Sequence, residues 1–260
     1  MRLHTKPAIG LILALTFCPS AEAADRIATD ANIVTGLDIS DSVSVAAMQL
    51  EIGAMADAIT SPEVLNAIRS GRHRRIGFAL FAWHHRSLPE DVAWTVIASA
   101  ADAEAVAGLL RRRLATNVDT EAYVSGLAEF HKRRQPGQPD DYGPIGFYAS
   151  RLTNLSDAID HGAKLLATAP FAASRDVINI IGEGRDNVGN DAAQARDRAV
   201  DAGLTINGMV IVNDEAKLAY YKAEVIGGPS AFALYVRDSS NMVEAMKRKF
   251  IGDIVVSAAH

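Results

Sequence analysis

The chain of 260 residues contains one cysteine, Cys18, close to its N-terminus. Everything after it can form neither a disulfide nor a thiolate metal centre. Aromatic residues are scarce, and positive charge gathers in no stripe; the formal net charge is −5. A mildly acidic chain without a basic face is a poor partner for nucleic acid. Beyond the N-terminus no apolar run is long enough to span a bilayer. A nucleophile elbow, G-x-S-x-G, is absent as well, which removes the usual geometry of a serine hydrolase.

The N-terminus reads as an address rather than as fold. Arg2, His4 and Lys6 are followed by the apolar run Ala8–Phe17 and by Ala21-Glu22-Ala23, an A-x-A cleavage site. The run is too short for a permanent membrane helix, and bulky Phe17 precedes Cys18 where lipoprotein processing needs a small residue. The expectation is a signal peptide over residues 1–23, cleavage after Ala23, and export, to the periplasm if the source is bacterial. Residues 24–260 then form one domain.

The rest of the chain is organised around Ile33–Ser42, I-V-T-G-L-D-I-S-D-S. A short apolar run bounded by polar residues reads as a buried parallel strand. Asp38, Ser40 and Ser42 would stand at its carboxyl end, where open α/β sheets hold ligands. One carboxylate and two hydroxyls at alternate positions make half a site for Mg²⁺, which prefers hard oxygen donors and keeps several waters. An equal alternative is that Ser40 and Ser42 cap the following helix.

Helical spacing follows over Val43–Thr60, with a short helical piece at Glu63–Ser70. Ile76–Trp83 reads as a buried strand, and Val92–Ile97 as its antiparallel neighbour across the turn His85–Asp91. Asp102–Leu114 is helical. From Ala115 to Ser150 the pattern loosens, with a helix expected from Asp119 to Arg134 and a loop at Gln135–Pro144. After Thr153 come a helix (Leu155–Ala169), a strand (Asp176–Ile181), the turn Gly182-Glu183-Gly184, and a helix (Asp191–Ala202) ended by Gly203. A strand (Leu204–Val212), a helix (Asp214–Val225), a strand (Ala231–Val236) and a helix (Ser240–Ile254) complete the chain. In that last helix Lys247, Arg248 and Lys249 are read as cations near the negative dipole end. The alternation predicts an α/β fold: a doubly wound, mostly parallel sheet with helices on both faces and one antiparallel edge strand.

Three polar loops fall at strand ends: Asp38–Ser42, Thr153 and Glu183. Their order resembles the von Willebrand factor A domain, whose metal-ion-dependent adhesion site uses D-x-S-x-S, a distant Thr and a later Asp. The resemblance is closer to a bacterial branch of exported proteins, the DUF1194 family. It rests on L-D-I-S-D-S, S-P-E-V-L-N-A-I-R-S-G, A-P-F-A-A-S-R-D-V-I-N-I-I-G-E-G, V-I-G-G-P-S-A-F and the basic closing helix. It implies metal ligands at Asp38, Ser40, Ser42, Thr153 and Glu183, with Mg²⁺ or Mn²⁺ as the ion. It also implies protein binding rather than catalysis, an acidic side chain of the unknown partner filling an open metal position. Two departures stand out. Ser150-Arg151-Leu152 replaces the glycines ahead of the threonine, and Glu183 replaces the later Asp. The longer Glu either reaches the metal directly, lowering its electrophilicity, or marks a site without metal.

Other chemistries fit less well. A haloacid-dehalogenase-type phosphatase needs a second acid where Ser40 stands, so the proton carrier is missing. Gly182-Glu183-Gly184 lacks the third glycine of a dinucleotide loop, Asn187 taking its place. The histidines show no ligand spacing and are read as surface residues; Trp83 and Trp94 are read as core or sheet-edge packing. Arg111-Arg112-Arg113 reads as a solvated helix end, and Asp186 and Asn187 as turn residues or donors to a metal's waters. Residues 115–150 are read as an insertion that either caps the metal face or projects from the surface. The alternatives to an adhesion-type module are a metal-free interaction module of the same fold and a metal-dependent hydrolase.

Overall fold

The central strand explains the architecture. β2 (Ala31–Asp38) is buried along its whole length, which is possible only for a strand paired on both edges and covered on both faces. The computed structural model describes residues 26–40, 43–116, 152–211 and 214–255. The expected signal peptide, Ser42, the helix 119–134, the loop 135–144 and nearly all of the insertion lie outside the described residues. In front of β2, separated by Asp30, is the short β1 (Ile27–Thr29).

After β2 come α1 (Val45–Ile59), α2 (Pro62–Ser70), β3 (Ile76–Trp83), β4 (Ser87–Ile97) and α3 (Ala100–Thr116). The chain is described again through α4 (Leu155–Ala167), β5 (Phe171–Ala173), β6 (Asp176–Gly182), α5 (Ala192–Asp201) and β7 (Thr205–Ile211). It ends with α6 (Glu215–Tyr220), a π-helical turn (Tyr221–Val225), β8 (Ala233–Val236), a 3₁₀ turn (Ser239–Asn241) and α7 (Met242–Val255). The main sheet has the order β4-β3-β2-β6-β7-β8, and β1 pairs with β5 in a second, two-stranded sheet. Among the described strands β3 and β4 pair antiparallel and the other strand pairs are parallel, with one isolated antiparallel bridge between Ile206 and Gly227. The expected edge hairpin is therefore present, and β4 is longer than the alternation in its sequence indicated.

Two apolar layers close the sheet. On one face α1, α2, α3 and α7 pack with Ile33, Leu37, Phe78 and Leu80. On the other, α4, α5 and the π turn pack with Val34, Phe81, Trp83, Ile178 and Ile180. Trp83 is fully buried in that second layer, while Trp94 on the edge strand meets Phe171 edge-on. Gly203 takes a φ of +85° just past Ala202, the C-cap of α5, as a C′ glycine does.

The strand order places the functional region. From β2 the chain moves outward to β3 and β4, then returns on the other side of β2 at β6 and continues to β7 and β8. The carboxyl ends of β2 and β6 thus form the topological switch point, where an open α/β sheet leaves a crevice. Leu37 pairs with Ile181, so Asp38 and the Gly182–Gly184 turn leave the sheet side by side.

Candidate functional site

Asp38 is completely buried at the end of β2. Its Oδ1 accepts the Ser40 N–H at 2.8 Å, and hydrogen bonding from the Ser40 hydroxyl and the Glu183 N–H, with the Lys217 charge, also acts to lower its pKa. Burial outweighs them and pushes its pKa up to about 6. Oδ2 is buried and accepts no hydrogen bond. Such an orphan in a native site calls for an occupant.

The capping alternative for Ser40 fails. The N-cap of α1 is Ser44, whose hydroxyl accepts from Ala47 N–H at 3.1 Å. Ser40 is buried beside Asp38 instead.

Glu183 follows β6 between two glycines, and each glycine makes a close approach. A Cβ on Gly182 would stand 2.8 Å from Asp38 Oδ2. One on Gly184 would stand 3.1 Å from Thr153 Oγ1. The short turn is thus wedged between the Asp38 carboxylate and the Thr153 hydroxyl, which brings all three loops to one point. Glu183 itself is half-buried, its pKa raised by desolvation and by Asp38 and lowered by the Lys217 charge on α6.

Thr153 is buried and held from both sides. Its N–H donates to Asn187 Oδ1 at 2.8 Å, and its carbonyl accepts from Asn187 N–H at 3.1 Å. Leu155 N–H donates to Asp186 Oδ1 at 2.7 Å. On the other side Asn154 N–H donates to the His84 carbonyl at 2.9 Å, and its side-chain amide to the His85 carbonyl at 3.1 Å. Asn154 also caps α4 by accepting from Asp157 N–H. Asp186 and Asn187 therefore fasten the threonine loop to the glutamate loop, whatever else they contact. The histidine reading needs correction in the same place: His84 is fully buried, because its backbone anchors Asn154 at the end of β3.

Two groups in this region carried no motif. Glu51 on α1 is 2 % exposed. Burial, then the nearby charges of Asp38 and Glu183, push its pKa up to about 8. Tyr221, first residue of the π turn, is fully buried, and its hydroxyl has no partner. In the sequence the sign was Glu51 falling among the inward positions Met48, Ile52 and Met55 of an otherwise apolar helix face. Tyr221 gave no sign.

The donor set suits a hard divalent cation: carboxylate and hydroxyl oxygens, one of them buried and unmatched, with carboxyls raised in pKa by burial. Asp38, Thr153 and Glu183 are brought together and Ser40 lies beside them. Among the described residues no group of three His, Cys, Asp or Glu side chains gathers as a metal centre. An ion here would therefore depend on hydroxyl as well as carboxylate oxygens. Among the described residues, too, no helix is long and apolar enough to cross a membrane.

A family profile, "Protein of unknown function (DUF1194)", matches residues 28–133 and 146–258. The break between them falls on the loop expected from the Pro- and Gly-rich stretch. None of the curated proteins matches the chain. Among solved structures, a von Willebrand factor type A protein from Catenulispora acidiphila aligns with a TM-score of 0.54 at 12% identity, over 87% of this chain and 43% of that one. Proximal thread matrix protein 1 from the mussel byssus aligns at 0.52 and 13%, over 88% and 47%. The pilus adhesin SpaC from Lactobacillus rhamnosus GG aligns at 0.53 and 11%, over 87% and 31%. The chain spans less than half the length of each, and at such identities the likeness is one of fold.

Proposed function

The chain belongs to the DUF1194 family and has the von Willebrand A fold, and on that footing we propose that it is an exported protein-binding module with a divergent metal-ion-dependent adhesion site. The observation that carries this reading is the buried, unmatched Oδ2 of Asp38, set at the switch point beside Thr153 and Glu183. Asp38, Ser40, Ser42, Thr153 and Glu183 would hold Mg²⁺ or Mn²⁺. The bound ion would supply a Lewis-acidic position open to a carboxylate of the partner. The chain's own residues do the rest: Asp38 and Glu183 supply charge, Ser40 orients Asp38, and Asp186 and Asn187 keep Thr153 at the rim.

Export rests on the N-terminal sequence, and the neighbouring adhesin supports an interaction role in general terms. Calorimetric titration with Mg²⁺ and Mn²⁺ tests the metal. Affinity capture from periplasm with and without chelator tests the partner.

A second reading, a metal-free interaction module, is favoured by one observation. The Lys217 ammonium already lies close enough to lower the pKa values of both Asp38 and Glu183. If it is the resident cation, divalent ions leave the thermal midpoint unchanged and chelator leaves partner capture intact. A phosphate-ester panel tests the hydrolase alternative.

A further inference from the structure

Positive charge, which forms no long stripe in the sequence, gathers at one edge of the fold. Where α2 passes to β3 the chain reads R-S-G-R-H-R-R, Arg69 to Arg75, and Arg69, Arg72, Arg74 and Arg75 are all exposed. Exposed arginines elsewhere lie against a carboxylate: Arg111 against Asp57, Arg198 against Asp160 and Arg237 against Glu215. Among the described residues no carboxylate pairs with the four guanidinium groups of this stretch. Asp30, the acid at this edge, is buried and turned onto the backbone. It accepts His73 N–H at 2.8 Å and Arg75 N–H at 3.3 Å, and its own N–H donates to the Arg75 carbonyl at 2.9 Å. Its carboxylate also leaves no room for a Cβ on Gly71. The turn is thus pinned, with Arg74 at a φ of +55°. Arg26 and Ile27, which lead into Asp30, are exposed as well. At 47 % Ile27 is the most exposed large apolar side chain among the described residues.

We propose that this edge docks the chain on an anionic lipid surface, the arginines meeting lipid phosphates and Ile27 the headgroup boundary. A guanidinium pairs with phosphate through two parallel N–H donors. Several of them side by side on a fixed turn suit a surface studded with phosphates. An exposed apolar side chain beside them suits lipid better than it suits an acidic protein or a nucleic acid. No helix among the described residues can cross a membrane, so the contact is made from outside. The edge is the amino end of the parallel sheet, whereas Asp38 stands at the carboxyl end of the eight-residue β2, about 25 Å away. Docking there leaves the acidic rim facing away from the membrane. The inference does not depend on the metal reading.

The test is cosedimentation of the full chain, with chelator present, on phosphatidylcholine vesicles with and without phosphatidylglycerol. The expected result is binding that requires phosphatidylglycerol and weakens as salt rises. It should fall about tenfold or more in Arg72→Gln/Arg74→Gln, each cation near such a surface being worth about fivefold. Arg72→Lys/Arg74→Lys keeps the charge and should keep the binding, and Arg198→Gln, at a paired arginine elsewhere, should leave it unchanged. Residues 1–23, where retained, are common to all four proteins, so the differences among them read this edge. Equal binding to vesicles without phosphatidylglycerol, undiminished binding by the Gln variant, or a loss in the Lys variant as large as in the Gln variant overturns the proposal. So does capture of an acidic protein or a nucleic acid through these arginines when anionic vesicles stay unbound.

Discussion

Two clusters of buried charge occupy the same sheet, and they are built on opposite terms. Beneath α7, Lys249 and Asp253 are buried one helical turn apart, with Nζ at 2.8 Å and 2.9 Å from the two carboxylate oxygens. Asn179 of β6 and Asn207 of β7 donate to the same carboxylate at 2.6 Å and 2.8 Å. Lys249 also donates to Asn179 Oδ1 and lies 4.9 Å from the Phe232 ring centre. Lys249 and Asp253 are thus matched to each other and to both asparagines, while the neighbouring Arg175 guanidinium, which also feels Asp253, makes no hydrogen bond. At the switch point Asp38 and Glu183 raise the pKa of the buried Glu51 by their charge, Oδ2 of Asp38 and the hydroxyl of Tyr221 are unmatched, and burial raises the pKa of all three carboxyls. A closed network fixes α7 against two strands. An open one stores affinity for something that is positive.

The contrast has its largest consequence in stability. Lys249→Met leaves Asp253 buried without its cation, which costs about 3–5 kcal/mol. The thermal midpoint should fall by about 10 °C or more, and pairing the change with Asp253→Leu should recover much of the loss. At the rim the sign reverses: above about pH 8, where Glu51 would have to ionise, Glu51→Gln should raise the metal-free midpoint by a few degrees while weakening Mn²⁺ binding. If Glu51→Gln destabilises as Lys249→Met does, the two clusters are alike and the distinction fails.

The pH dependence sharpens the same difference. Asp38 and Glu51 have folded pKa values of about 6 and about 8, above the ordinary 3.8 and 4.5. The folded chain therefore holds protons that the unfolded chain releases. Their contribution is complete below about pH 4 and is lost as pH rises through 6 and then 8. The metal-free midpoint should drop by about 5 °C or more between pH 5 and pH 8, and saturating Mn²⁺ should flatten that slope, because the ion replaces the protons. Glu51→Gln should remove the upper half of it. The smallest expected effect is that of Lys217→Ala. Loss of a half-exposed positive charge should tighten Mn²⁺ binding about two- to threefold, less at high salt.

Much of this was legible in the sequence where local pattern and tertiary demand agree. β3 has the bounds its apolar run indicates, and Asp38 stands at the end of β2. Alternating strands and helices, with a polar turn inside one strand pair, were enough for a parallel sheet with one antiparallel edge. The misses share a cause, which is that burial of polar groups is decided by partners far along the chain. Lys249 was read as a cation near the negative dipole end of its helix; Asp253 and Asn179, the latter on a strand that reaches it only through the fold, hold it inside. His84 looked exposed and is enclosed because Asn154 binds its carbonyl. The three-residue strands β1 and β5 were too short to show a period. Tyr221 turns inward through a π-helical register that a 3.6-residue pattern does not describe. Glu183, by contrast, was visible as a departure from the resembled motif, and its flanking glycines carry the reason for the tight turn.

The most direct test of the account is a Mn²⁺ titration of the wild type beside Asp38→Ala, followed by heat of binding and by thermal midpoint. The account predicts saturable binding and a raised midpoint in the wild type. In the variant it predicts affinity at least about tenfold weaker and a metal-free midpoint no lower than the wild type's. A wild type that takes up no Mn²⁺ or Mg²⁺ at millimolar concentration, with no change in midpoint, would contradict it.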